Sequence, residues 1–301
     1  MHGLLLVDKP IGLTSAAVVA KIKRHFGFKK VGHGGTLDPF ASGLLVLLVG
    51  DATKVARFLL EGHKTYEAEA DLRFETDTGD NTGQPLPHDD SGQISQQTIE
   101  ETLPRFCGTI LQRPPMYSAI KRDGKPLYSY AREGKVLDIP EREIHIQSLE
   151  LVDFTKQKIR FRVTSSGGTY IRVLAQDWAR AAGGRAHLSM LRRTHSHNFF
   201  LSNALNLDSL LSSTAPPALI PLTQALAHVP SISCDKSMAQ MLRNGRLDAV
   251  ERLIPEWPEH AGFVIAVEKD EAKRIIAILS KQNEASTPAI ERVFDHGSRE
   301  A

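Results

Sequence analysis

The stretch Val31-Gly32-His33-Gly34-Gly35-Thr36-Leu37-Asp38-Pro39-Phe40-Ala41-Ser42-Gly43-Leu44-Leu45-Val46-Leu47-Leu48-Val49-Gly50 decides how the rest of the chain is read. Glycine and proline punctuate its first part, which predicts a loop over 31–42. Its second part, 44–49, is apolar at every position and bounded by glycines. That predicts a buried strand or the start of a buried helix. The glycines permit backbone shapes that other residues resist and let a ligand approach closely. Pro39 fixes the backbone after Asp38 and biases Asp38 toward an extended conformation. A carboxylate is thus presented from a stiff loop, the kind of place where catalytic groups concentrate. Aspartate before proline in such a loop also serves as a plain turn or helix cap, so the segment alone leaves both readings open. A phosphate loop fails on specifics, since neither GxxxxGK[ST] nor GxGxxG is present.

Working outward, residues 3–8 read as a short buried strand. Thr14-Ser15 reads as the cap of a helix whose apolar stripe is Val18, Val19, Ile22 and Phe26, ended by Gly27. From Tyr66 the pattern alternates, with Tyr66, Ala68, Ala70, Leu72 and Phe74 on one face and Glu67, Glu69, Asp71 and Arg73 on the other, which predicts a half-buried strand. Residues 76–92 read as a surface loop and 95–106 as a helix with Ile99, Leu103 and Phe106 inward. Strands are predicted at 115–120, 142–153 and 158–165, and a segment turning helical at 169–182. Pro216, Pro217 and Pro221 mark a linker around 212–222, and the tail from about 231 reads as a small separate β-rich domain. Strands mixed with helices, without regular βαβ alternation, predict an α+β fold with a mixed, largely antiparallel sheet flanked by helices.

Composition excludes several classes. At 301 residues, 41% hydrophobic and 24% charged, the chain can build its own core without disulfide or metal staples. Cys107 and Cys234 have no CxxC spacing, and His195 and His197 lack a partner at zinc-like spacing, so no metal site is expected. The N-terminal apolar run is too short for a signal peptide, and no stretch approaches a membrane span. A cytoplasmic protein is expected. The net charge of +2 is unevenly spread: residues 1–60 carry eight Lys/Arg against three Asp/Glu, 61–120 four against eleven, and 121–200 fifteen against eight. Two basic segments flanking an acidic one permit a phosphate-binding face and do not require it.

The segment GHGGTLDPFASGLL resembles the signature of the bacterial tRNA pseudouridine-55 synthases, the TruB family, which shares its core with the archaeal and eukaryotic guide-RNA-dependent enzymes. Six further blocks resemble that family in order, the first five being Lys9-Pro10 with Gly12, Thr14 and Ser15; Lys64-Thr65-Tyr66; Thr76-Asp77-Thr78-Gly79-Asp80; Pro115-Met116-Tyr117-Ser118-Ala119-Ile120-Lys121; and Gly168-Thr169-Tyr170-Ile171-Arg172. Leu191-Arg192-Arg193 follows as the last. The resemblance implies a catalytic domain over 1–222 and a C-terminal domain of the PUA type over 231–298. It implies Asp38 as nucleophile, Tyr66 stacked on the target base and Arg172 paired with the nucleophile. His33, Tyr170 and Leu191 would line the pocket or touch the flipped nucleotide, and Lys9 would lie near the active site in a structural or electrostatic role. It further implies a monomer acting on the T arm of tRNA (T stem-loop) at position 55, with no cofactor and no metal.

Elementary chemistry fits those roles. Isomerising uridine to pseudouridine breaks the N1–C1′ bond, turns the uracil and rejoins it through C5, with no redox change and no group donor. A carboxylate can add to C6 of the base or to C1′ of the ribose, and the sequence leaves both open. Burial alone would raise its pKa, and a nearby guanidinium opposes that shift. Unstacking the base costs a few kcal/mol, and an aromatic platform such as Tyr66 returns about 1–3 kcal/mol. Lys21, Lys23, Arg24, Lys29, Lys30, Arg192 and Arg193 are expected on phosphates. The class rival is a tRNA chaperone that folds the T arm, with Asp38 incidental; a guide-RNA-dependent enzyme is a third reading, against which the compact chain without basic extensions argues.

Overall fold

The computed structural model describes residues 1–60, 62–87, 94–269, 274–281 and 289–294. The apolar run becomes a strand, β3 (Ser42–Val49), buried at every position. It lies beside β1 (Gly3–Lys9), paired antiparallel from Gly3–Val49 to Lys9–Gly43. On its other edge β3 has two partners in succession. The short β2 (Val31–His33) pairs antiparallel with Leu47–Val49. The long β8 (His187–Ser196) pairs in parallel with Ser42 and Gly43 only. Between them are β4 (Lys64–Asp71), β5 (Gly108–Gln112), β6 (Arg142–Phe154) and β7 (Lys158–Ser165), and the sheet continues from β8 through β4, β7 and β6 to β5. Those neighbours are all antiparallel, so the sheet is mixed and largely antiparallel, as the element order predicts.

One face of this sheet is covered by helices. α1 (Ser15–His25) starts where Thr14 accepts a hydrogen bond from the Ala17 N–H, and buries Val18 and Ile22. Its last turn carries Lys23, Arg24 and His25, which suit the negative end of the helix dipole. α2 (Gln96–Thr102) and α3 (Ile171–Ala181) cover the far end, where the fully buried Trp178 donates to the Ile99 carbonyl at 3.1 Å. Leu5, Val7, Leu45, Leu47 and Val49 face this core.

The other face of β1 and β3 is covered by the chain's own tail. A second sheet has the order β9 (Ser231–Cys234), β10 (Phe263–Glu268), β11 (Ile275–Ser280) and β12 (Ala289–Val293). Leu4, Leu6, Leu44, Val46 and Leu48 form one apolar cluster with its Ile265, Val267, Ile275 and Ile278 and with Phe294. This explains why β3 is apolar throughout instead of alternating: both of its faces are cores. The tail is not purely β. α4 (Lys236–Arg243) and α5 (Leu247–Leu253) cover its outer face, and α5 holds much of the acidic segment Asp248–Glu259.

Three other expectations change. Residues 31–33 are strand, not loop, because β8 leaves the upper edge of β3 open for them. Residues 115–120 form bends rather than a strand, since Pro114-Pro115 remove backbone donors and Ser118 turns back to donate to the Met116 carbonyl. The proline-rich 212–222 segment is anchored: Leu4 and Ile220 exchange backbone hydrogen bonds at 2.9 and 2.8 Å. Part of the predicted 76–92 loop, residues 88–92, lies outside the described residues.

Candidate active site

The loop joining β2 to β3 emerges where the edge of β3 passes from one partner to the next, and nearly every residue in it is fixed. The Gly34 N–H donates to the Val46 carbonyl at 2.8 Å. The buried Ser15 hydroxyl both accepts from the Leu37 N–H and donates to the Leu37 carbonyl. Gly12 donates to the Pro39 carbonyl at 2.7 Å, and Ala41 to the Asp38 carbonyl at 3.1 Å. Asp38 is therefore set on a braced turn, with its side chain still about a third exposed (34%) on one side.

Arg172, in the first turn of α3, meets it. Its Nε donates to Asp38 Oδ2 at 2.9 Å, its Nη2 to the Tyr117 carbonyl at 2.9 Å, and its Nη1 to the Thr78 carbonyl. Asp80 Oδ2 stands 3.7 Å from the same Nε. The other oxygen of Asp80 is taken by the Thr78 hydroxyl and the Thr82 N–H, both at 2.9 Å, and by the Thr82 hydroxyl. Burial pushes the Asp38 carboxyl above its ordinary value. Arg172 pulls it down, Asp80 pushes it up further, and Lys9 pulls it down.

Lys9 ends β1 with its side chain enclosed, and donates to the Pro10 and Leu13 carbonyls at 2.9 and 2.7 Å. Burial lowers its pKa to about 8, with Asp38 opposing and Arg193 adding to the shift. His33, on β2, is half-buried. Its Nδ1 is enclosed without a hydrogen-bond partner, and burial, then Arg193, holds the ring below its ordinary pKa. Tyr66 on β4 sits opposite Arg193 of β8 and Val163 of β7. Leu191 on β8 sits opposite Ala68, and both Tyr66 and Leu191 belong to the helix-covered core. Tyr170 immediately precedes α3. Its N–H and carbonyl are held by Gln112, and its ring lies 5.2 Å from the Arg142 guanidinium.

Two expectations are corrected. The Thr76–Asp80 turn, read as surface, is a wall of the site: Thr76 and Asp80 are buried and the Thr78 carbonyl holds Arg172. Arg193, expected on phosphates, is 1% exposed. Its donors end on the carbonyls of Leu44, Thr36 and Gly35. By contrast Lys21, Lys23, Arg24, Lys29 and Lys30 are exposed, and Arg192 bonds Asp8 at 2.7 Å with its side chain partly open. Asp80 and Ser15 went unrecognised as parts of the site, although both lie in quoted motifs. Among the described residues no group of three His, Cys, Asp or Glu is arranged to hold a metal ion, and no helix is long and apolar enough to cross a membrane.

A partly exposed carboxylate thus meets an enclosed arginine that it shares with Asp80, at the edge of the α+β sheet. Residues 23–171 match the family described as TruB family pseudouridylate synthase (N terminal domain). The chain is 49% identical over 212 residues to the tRNA pseudouridine synthase B of Bordetella pertussis (strain Tohama I), covering 70% of this chain and 87% of that one. It is 44% identical over 251 residues to the same enzyme of Burkholderia pseudomallei (strain 668), covering 82% of each. Its fold is similar to a chain of the solved Cbf5-Nop10-Gar1 complex, with a TM-score of 0.70, 26% identity, and coverage of 97% of this chain and 84% of that one. The chain belongs to the TruB family of pseudouridine synthases. Its chemistry is accordingly an isomerisation, in which a C–N glycosidic bond is exchanged for a C–C bond.

Proposed function

We propose that this enzyme acts on tRNA, isomerising the T-loop uridine at position 55, with Asp38 as the nucleophile. The observation that carries this reading is the 2.9 Å contact between Asp38 and Arg172, made from a loop braced on every side. Arg172 orients the carboxylate and favours its ionised form against burial. The open side of Asp38 is where a flipped uridine enters. The Asp38 oxygen attacks C6 or C1′, the N1–C1′ bond breaks, the uracil turns and rejoins through C5, and the bond to Asp38 breaks again, which returns the free carboxylate. The proton lost from C5 is balanced by the one gained at N1, so nothing is consumed. Tyr66 serves as stacking platform, and Tyr170 and Leu191 hold the nucleotide from the adjoining elements. His33, at the start of the loop, lines the pocket. Lys9 keeps the turn after β1 in shape and supplies positive charge near Asp38.

The exposed cations of α1 and of the turn after it hold T-arm phosphates, and a single copy of the chain suffices. Residues 1–222 form the catalytic domain. The second sheet is the PUA-type module of 231–298, of which 270–273, 282–288 and 295–298 lie outside the described residues.

The test uses unmodified tRNA transcript with wild type and Asp38→Asn, followed by mapping of pseudouridine. Wild type converts one T-loop uridine, and the variant binds tRNA without converting it. Product from Asp38→Asn removes Asp38 as nucleophile. Binding without product from either protein favours the chaperone reading.

A further inference from the structure

Arg193 is a buried cation whose partners, among the described residues, are all carbonyl oxygens. Enclosing such a charge without a carboxylate is costly, and it also disfavours the charge on its neighbours: Lys9 and Lys64 are both lowered to about 8, by burial first and by Arg193 in addition. Its placement shows what the cost secures. Where β8 leaves β3 and before β2 joins it, two carbonyls of β3 face the same open edge, those of Leu44 and Val46. Val46 is taken by the Gly34 N–H and Leu44 by Arg193 Nε at 2.7 Å. The same guanidinium reaches the Gly35 carbonyl at 3.0 Å and the Thr36 carbonyl at 3.3 Å. Meanwhile the backbone of Arg193 pairs with Gly43. That approach is so close that a Cβ on Gly43 would stand 2.3 Å from the Arg193 carbonyl oxygen. One residue thus holds the beginning and the end of the loop that carries Asp38.

We propose that Arg193 is a positioning residue that clamps both ends of the 35–43 loop and so fixes Asp38 against Arg172. The proposal rests on the reading of Asp38 as nucleophile. A guanidinium suits the task because its planar fork spans three carbonyls at once, which an ammonium on a flexible stem does not.

The test compares Arg193→Lys and Arg193→Met with wild type in three measurements: single-turnover rate at saturating enzyme, tRNA affinity with its salt dependence, and hydrogen exchange of the 34–41 backbone amides. The methionine variant is expected to lose roughly 10²-fold in rate, the scale of a misplaced reacting group. Its affinity should stay within about twofold, its salt slope should be unchanged, and its loop amides should exchange faster. The lysine variant, which keeps the charge, should fall between it and wild type. A folded methionine variant with the wild-type rate overturns the proposal. So does an affinity loss that accounts for the rate loss with a salt slope reduced by about one, the mark of a phosphate contact. If the methionine variant does not fold, the lysine variant decides: normal affinity with a slowed rate and faster loop exchange supports the clamp, and a wild-type rate overturns it. Asp38→Asn in the same rate assay separates the two readings. Product from that variant removes the nucleophile, while loop exchange in the Arg193 variants still reports whether the clamp exists.

Discussion

Asp38 and Glu69 belong to the same sheet region, and each accepts an arginine Nε–H at 2.9 Å, yet they are driven in opposite directions. Glu69, on the middle of β4, is held down to about 2. The hydrogen bond from Lys158 is the largest cause, and burial is outweighed with help from Arg160 and Ser189. Asp38 is pushed up, because burial there outweighs Arg172. The partners explain the difference. Lys158 and Arg160 are about half open to water and, among the described residues, serve Glu69 alone of the carboxylates within ion-pair range. Arg172 is enclosed, and it is divided among Asp38, Asp80 and two carbonyls. An arginine partner therefore does not settle ionisation by itself. The number of acceptors sharing it, and the water around the pair, decide how much of its charge each carboxylate feels.

That contrast can be broken first at the carboxylates. Asp38→Asn should lower turnover by more than about 10³-fold, the scale of losing a nucleophile, whereas Glu69→Gln should leave turnover within about twofold; kinetics on tRNA transcript compare them directly. Arg172→Lys, which keeps a charge but loses the fork, should cost about 10²-fold in turnover with little change in tRNA affinity. Equal losses in rate and affinity would place Arg172 on a phosphate instead. Stability should reverse the ranking. Glu69→Gln weakens charged hydrogen bonds and should cost about 1–3 kcal/mol by denaturant unfolding. Asp38→Asn should be neutral or slightly stabilising, because it removes a carboxylate that burial disfavours.

The pH dependence sharpens the same pair. The folded pKa of Glu69 lies below its ordinary 4.5, so its contribution to stability is present above 4.5 and is lost as pH falls toward 2. The folded pKa of Asp38 lies above its ordinary 3.8, so the folded state holds that proton more tightly and stability falls as pH rises through the window above 3.8. Acid unfolding curves of Glu69→Gln and Asp38→Asn should differ from wild type with opposite signs. The proposed mechanism uses the ionised Asp38, and on it the acid limb of turnover should lie above 3.8.

Much of this was legible in the residues. The alternation predicted from Tyr66 to Phe74 became a strand as far as Asp71, the unbroken run of 44–49 became another, and Thr14-Ser15 capped a helix, because those signals are local. The motif blocks brought Asp38 and Arg172 together across 134 positions of sequence. What stayed hidden was the side on which each polar residue would lie. Glu69 and Asp71 read as a solvent face, and both are buried under Lys158, Arg160 and Arg73. Arg193 stands in a basic run beside Arg192, and nothing in its neighbours marks one as open and the other as enclosed. Its acceptors are carbonyls, which every residue has, so no side-chain pattern announces them. Asp80 was missed for a related reason: Thr-Asp-Thr-Gly-Asp is turn chemistry wherever it lies, and only the fold shows that this turn leans on Arg172.

The tail's place against β1 and β3 bears on how the enzyme is made. Synthesis runs from the first residue onward, and domains ordinarily fold as they leave the ribosome. Here the strands that border the Asp38 loop are among the first to emerge, but one of their faces, which Phe58, Phe199, Leu222 and Leu226 cover in part, is not completed until Ile265 to Phe294 have followed. A nascent chain stalled near residue 230 would leave part of the face around Leu4, Leu6, Leu44, Val46 and Leu48 open to chaperones and proteases. The surface that the finished enzyme conceals is thus the one by which an unfinished chain differs from it.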